Sequence, residues 1–255
     1  MRLLLLLTSS AFALEPLPQG PGLSQKHPGD AGIEKHPAVL LVENFEEGTL
    51  EALKPRWNEI ENKDGQVLEI VRDHPAASSG SKCLQVTATL GENTGGHLFK
   101  RLDPIQTRVF SRFYVKFAED APYLHHFSGL GGYNPPTNWP QGSAGKHAAG
   151  DTRFSARIEP NGSYGTLAAP GGWMFYTYWH DMKPSADGGF WGNGLWPEGR
   201  PGPPGERDRP ERHARPDFFG LAAPPQTLDR TNPGNSQARP PAGKSRVRVA
   251  KFVRR

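Results

Sequence analysis

Three segments of the chain divide their residue types in the same way. In "RVFSRFYVKF", Val109, Ser111, Phe113, Val115 and Phe117 alternate with Phe110, Arg112, Tyr114 and Lys116. In "RFSARIEP", Phe154, Ala156 and Ile158 alternate with Arg153, Ser155, Arg157 and Glu159. In "WMFYTYWHDM", Trp173, Phe175, Thr177 and Trp179 alternate with Met174, Tyr176, Tyr178, His180 and Met182. Side chains along a strand point to opposite faces in turn. Each segment therefore predicts a strand with one apolar face and one face of Arg, Lys, Tyr, Ser and His. An ordinary solvated face would mix Thr, Lys, Glu and Ser. The planar fork of arginine suits carboxylates, and tyrosine offers a stacking surface and a hydroxyl for proton transfer. These residue types suit the handling of an anionic sugar.

Residues 125 to 142, "HHFSGLGGYNPPTNWPQG", belong to the same problem. The expectation is that His126 and Ser128 project from a strand into a cleft and that Gly129 to Gly132 make a close turn. "YNPPTNWPQG" would then form a wall, with Tyr133 and Trp139 available to stack on sugar rings; packing as a loop anchor would account for Trp139 equally well. Other chemistries fit less well. Adjacent histidines such as His125 and His126 diverge on a strand and have no clear third ligand, so no metal is expected. "GLGGY" precedes no helix, which argues against phosphate cradling. A two-carboxylate glycosidase needs paired acids, and Glu159 stands isolated on its strand. No cofactor is called for.

The order "RFYVKF … HHFSGLGG … RFSARIEPNG … MFYTYW" resembles the alginate-lyase-like members of polysaccharide lyase family 14. These are β-jelly rolls that cleave polyuronates by β-elimination. In that family a Gly-Gly-Lys-Leu-Pro-Gly-Leu stretch precedes a Phe-Ser-Ala-Arg strand and then a Tyr-x-Tyr strand. Here "FSAR" stands at Phe154 to Arg157 and "YTY" supplies Tyr176 and Tyr178, while aligning on the Gly-Leu of "SGLGG" puts His126 where the family has its lysine. The likeness spans roughly residues 38 to 193. It implies that Arg157, with Ser155 beside it, binds the substrate carboxylate. Tyr176 or Tyr178 would act as base and acid, and His126 as an electrostatic clamp or as the base. Arg153, Lys116, Arg112, Tyr114, His180, Tyr133 and Trp139 would line the rest of the cleft.

The elements that must position these residues are strands. From Ala38 to about Asn193, short runs rich in Val, Phe, Tyr, Thr and Ile recur between Gly, Pro, Asn and Asp, the pattern of an all-β sandwich or jelly roll. The runs are "AVLLVENF", "QVLEIVR", "KCLQVTATL", "GHLFKRL" and the three quoted first. Only "GTLEALKPRW" and "AEDAPYL" leave room for a helical turn.

The ends differ in texture. "MRLLLLLTSSAFA" (1–13) reads as a secretory signal peptide, too short to span a bilayer, so a secreted or periplasmic location is expected, with no membrane association afterwards. Residues 14–37 are rich in Pro and Gly and read as a linker or disordered arm. The jelly-roll domain is assigned to 38–197, of the concanavalin A-like lectin/glucanase type. The remainder, 198–255, carries 10 of the 26 prolines and no apolar periodicity. It reads as disordered or as translation out of frame, in which case the sandwich lacks its last strands.

The net charge of +4 comes from that tail. It holds 13 of the 30 Lys/Arg and 6 of the 26 Asp/Glu, leaving a body of 17 basic and 20 acidic residues. Nucleic acid is therefore not an expected partner. Cys83 is the single cysteine, so no internal disulfide forms and stability rests on the core. The sequence thus predicts a monomeric, exported polysaccharide lyase that uses neither metal nor cofactor. The alternatives are a non-catalytic carbohydrate-binding module or a truncated, inactive product.

Overall fold

Each of the seven β-like runs holds a strand, because branched and aromatic side chains pack well on a pleated surface. The computed structural model describes residues 20–89, 91–124, 126–138, 142–162 and 167–196, and the backbone of 244–254. Among these, the strands are β1 (Leu41–Glu43), β2 (Glu59–Glu61), β3 (Leu68–Val71), β4 (Cys83–Thr89), β5 (His97–Phe99), β6 (Ser111–Phe117), β7 (Ser128–Tyr133), β8 (Arg153–Asn161), β9 (Gly172–Tyr178), β10 (Asn193–Leu195) and β11 (Lys244–Arg254). All their pairings are antiparallel, and the fold is all-β. Among the described residues helical structure is confined to single turns, one of them Glu51–Leu53 within "GTLEALKPRW". No helix among the described residues is long and apolar enough to cross a membrane.

One sheet has β11 in its interior. β6 runs along one side of it, while β4 and β1 share the other side end to end, and β3 flanks β4. The second sheet has the order β10-β9-β8-β7, and β2 pairs with β5. The two larger sheets meet through aromatic rings. Phe113 and Phe117 of β6 lie 5.5 and 6.0 Å from Phe127, and Phe117 lies 5.7 Å from Trp173 of β9. A buried core of Leu41, Phe45, Leu53, Trp57, Val67, Leu68, Leu84 and Leu98 continues from this contact. Each such side chain contributes about 1.5–3 kcal/mol on burial.

Three expectations are corrected here. Gly129 to Gly132 do not turn; they run as strand within β7, paired residue by residue with β8. Ser128 faces away from the expected cleft, fully buried and opposite Ile158. The sheet is also not complete at residue 197, because β11 comes from the tail. Its "SRVRVAKFV" carries strand-forming residues that the Pro/Arg-rich average conceals. The stretch assigned to that tail before β11, and the signal peptide, lie outside the described residues.

The arm also differs from a free linker. Short helical turns at Leu23–Lys26, Pro28–Asp30 and Ile33–Lys35 pack onto the body. Ile33 is buried, and buried Asp30 forms an ion pair with Arg112 of β6 at 2.8 Å. The glycines that suggested a linker serve its turns, Gly29 and Gly32 taking φ of +61° and +69°.

Candidate functional site

The register of the second sheet assembles the polar face. Ser155 pairs with Tyr178 and Arg157 with Tyr176 across β8 and β9. On the other side Arg153 pairs with Tyr133, Ser155 with Gly131 and Arg157 with Gly129. Directly opposed residues share a face, so Tyr133, Arg153, Ser155, Arg157, Tyr176 and Tyr178 form one patch. It points away from the first sheet, because the alternate residue Trp173 is the one packed on Phe117.

Glycines make the patch possible. A Cβ at Gly129 would come within 2.8 Å of the Arg157 Cγ, and one at Gly192 within 2.3 Å of the Tyr176 ring. These close approaches let the long arginine and tyrosine side chains lie flat across neighbouring strands. Gly131, between Ser155 and Tyr133, is exposed on one side, and a Cβ there would come within 3.0 Å of the Tyr133 ring.

Tyr178 is the centre of the cluster. Its ring lies under two guanidinium groups, Arg153 at 5.0 Å and Arg157 at 5.8 Å from the centroid, within cation–π range. The Tyr176 ring meets it edge-on at 5.7 Å. On one side Tyr178 packs with Ala148 and Met182, and with Trp179 and Phe190 at their margin. It is therefore only 5% exposed.

The two arginines differ in what they can still bind. Arg153 is tied down, with its Nη2 donating to the Ser143 carbonyl at 2.8 Å and to that of Lys146. Arg157 is half-buried and, among the described residues, has neither an ion-pair nor a hydrogen-bond partner.

The tyrosines differ too. Burial, then the neighbouring Tyr178 and a hydrogen bond to it, push the Tyr176 hydroxyl well above the ordinary tyrosine value, despite the Gly192 N–H it accepts at 2.8 Å. Tyr176 is the proton keeper of the pair. Burial likewise raises Tyr133, against the opposing pull of Arg157, Arg153 and a hydrogen bond with Ser155.

His126 closes the far end. Its ring lies 5.0 Å from that of Tyr176, and Glu159 accepts both its backbone N–H at 2.8 Å and a bond from Nδ1 at 3.1 Å. Glu159 has no second carboxylate beside it in sequence and so does not stand out as an acid pair. Its place on the face of Arg157 was the signal available, but its histidine partner lies 33 positions away.

Other expected site residues fall elsewhere. Arg112, Tyr114 and Lys116 belong to the first sheet and point away from the patch, since Phe113 and Phe117 occupy the inner face between them. Arg112 binds Asp30 and the Tyr114 hydroxyl, and Lys116 pairs with Asp73 at 2.5 Å. None of the three lines the patch. His180 lies beyond the end of β9, exposed, with Nε2 3.3 Å from Asp181. Trp139 and His125 lie outside the described residues. Among the described residues no three His, Cys, Asp or Glu side chains are grouped to hold a metal ion.

Fold and site together define an antiparallel β-protein that carries a tyrosine–arginine patch on the outer face of one sheet. No family model, curated protein or solved structure matches the chain.

Proposed function

We propose that the patch binds and cleaves an acidic, uronate-containing polysaccharide by β-elimination, in an exported jelly-roll lyase. One observation carries the reading: Arg157 holds a permanent, half-buried charge with no carboxylate of its own among the described residues, directly beside Tyr178. A buried cation left unpaired is costly, and a substrate carboxylate meets that need with two parallel hydrogen bonds.

The roles then follow from the environments. Arg157 neutralises the uronate carboxylate, which acidifies the proton on C5. Tyr178 lies beside Arg153 and Arg157 and is hydrogen-bonded to Tyr176, which keeps its proton, so Tyr178 is the tyrosine assigned the proton transfer. As phenolate it takes the C5 proton. The electron pair left on C5 forms the C4–C5 double bond while the C4–O4 bond breaks, and the proton carried by Tyr178 passes to the departing O4. Tyr176 is the hydrogen-bonding support and not the base.

A binding module without catalysis is the second reading. The 5% exposure of Tyr178 and the tethering of Arg153 favour it.

Ultraviolet absorbance of the unsaturated uronate product decides between them, using alginate, glucuronan and other polyuronates. A rising signal on one substrate is expected. Folded protein that binds these polymers and gives a flat trace on all would make the module the correct reading.

A further inference from the structure

We infer that Glu159 is a positioning residue for the histidine of this site, fixing His126 in the tautomer that carries its proton on Nδ1 and presents Nε2 as the working nitrogen. The inference rests on the reading of the patch as a site for an acidic sugar.

Glu159 sits on β8 two residues beyond Arg157, on the same face, and is fully buried. Burying a carboxylate without partners is strongly unfavourable. Its Oε2 meets two groups of one residue, the backbone N–H and the Nδ1 of His126. An ionised carboxylate only accepts hydrogen bonds, so the Nδ1 contact requires the proton on that nitrogen. With that proton held on Nδ1, Nε2 is the nitrogen left to gain or lose one.

The backbone supports a dedicated role. His126 has φ of +61°, a left-handed conformation uncommon for a side chain of its size. That twist allows main chain and ring to reach one carboxylate oxygen together. The ring is thereby held 5.0 Å from Tyr176, with the side chain 7% exposed. The charge of Glu159 also helps Tyr176 retain its hydroxyl proton. One buried carboxylate thus holds the His126 proton and adds, after burial and Tyr178, to what keeps the proton on Tyr176. A loop anchor would require only the backbone bond and would be indifferent to the ring.

The test is ¹⁵N NMR of the full-length protein labelled at histidine, with the His126 signals assigned by their loss in His126→Asn. The wild type is expected to show His126 protonated at Nδ1, with Nε2 the nitrogen whose proton comes and goes with pH. In Glu159→Gln that preference is lost. On a substrate the wild type turns over, kcat falls about 10- to 100-fold, the usual cost of losing an orienting partner, with KM changed by less than about twofold. A wild-type His126 protonated at Nε2 alone overturns the inference, whether or not Glu159→Gln folds. So does an unchanged tautomer and turnover in folded Glu159→Gln. Failure of every polyuronate as substrate sinks the lyase reading alone, because the tautomer is read without turnover.

Discussion

Arg157 is paired across the sheet with Tyr176, yet its guanidinium lies over the ring of Tyr178, one step further along β9. The diagonal places a fixed charge beside the tyrosine assigned the proton transfer. Replacing Arg157 with Lys keeps the charge and loses the planar fork. We expect Arg157→Lys to weaken binding of the substrate polyuronate about tenfold, and Arg157→Ala about 100-fold or more, in line with about 2–5 kcal/mol for a desolvated charge pair. Calorimetric titration with an oligouronate checks this. Equal affinity in all three proteins would remove Arg157 from the site.

The two tyrosines separate in kinetics. Tyr178→Phe is expected to abolish turnover while leaving oligouronate affinity within about twofold, since the lost group acts only in the reaction. Tyr176→Phe should leave residual activity, reduced about 10- to 100-fold, the scale of one lost hydrogen bond to a group that becomes charged, about 1.5–3 kcal/mol. Steady-state rates and binding measured on both variants make the comparison. Full activity in Tyr178→Phe would exclude it as the base.

Tyr176 and Tyr133 both titrate above their ordinary value because burial disfavours the phenolate. In the unfolded chain both ionise around pH 10. Above that pH the unfolded state has released protons that the folded state retains, so stability must fall as pH rises. The contribution is present in full below pH 10 and is lost as pH climbs toward the folded values. In a spectrophotometric titration, two of the six tyrosines should ionise late, together with alkaline unfolding. Tyr176→Phe should move that unfolding to higher pH. If all six ionised together below the unfolding transition, the buried environment of this pair would be wrong.

Much of this arrangement was legible beforehand. Period-two alternation in "RFSARIEP" and "WMFYTYWHDM" placed Arg157, Ser155, Tyr176 and Tyr178 on one face, and pairing put them on neighbouring strands in register. Alternation says nothing of which sheet a strand joins, and so Lys116 and Arg112 were assigned to a cleft that lies on the other sheet. Glycine reads as a turn signal, but in "SGLGGY" it is strand, chosen because Arg157 and Tyr133 occupy the space a side chain would need. β11 escaped because "SRVRVAKFV" is short and its neighbourhood is prolines and arginines.

The glycine floor is testable at Gly192. A methyl group there would overlap the Tyr176 ring, its Cβ falling 2.3 Å from the nearest ring atom. Overpacking of this kind costs about 1–3 kcal/mol. Gly192→Ala should therefore lower the unfolding free energy by that amount and cut turnover by displacing Tyr176. Unchanged stability and rate would show that the ring relaxes freely and that the glycine has no part in the site.

β11 yields the sharpest structural prediction. It fills the gap between β6 on one side and β4 with β1 on the other, pairing Phe252 with Phe113 and Val247 with both Val86 and Phe117. Removing it would leave three strands with unsatisfied backbone groups, and exposed edges of that kind recruit other chains. β6 also carries Phe113 and Phe117, which join the first sheet to Phe127 and, through Phe117, to Trp173 of the site-bearing sheet. Loss of β11 should consequently be felt at Tyr178 through this contact, although no residue of β11 belongs to the patch. A chain ending at residue 243 is expected to aggregate or unfold cooperatively at a markedly lower temperature, and a peptide of residues 244–255 added in trans should restore part of the difference. Calorimetry of the two chains, with and without peptide, measures this. An equally stable truncated chain would mean that the sheet closes without its C-terminal strand, and the tail would revert to a passive extension.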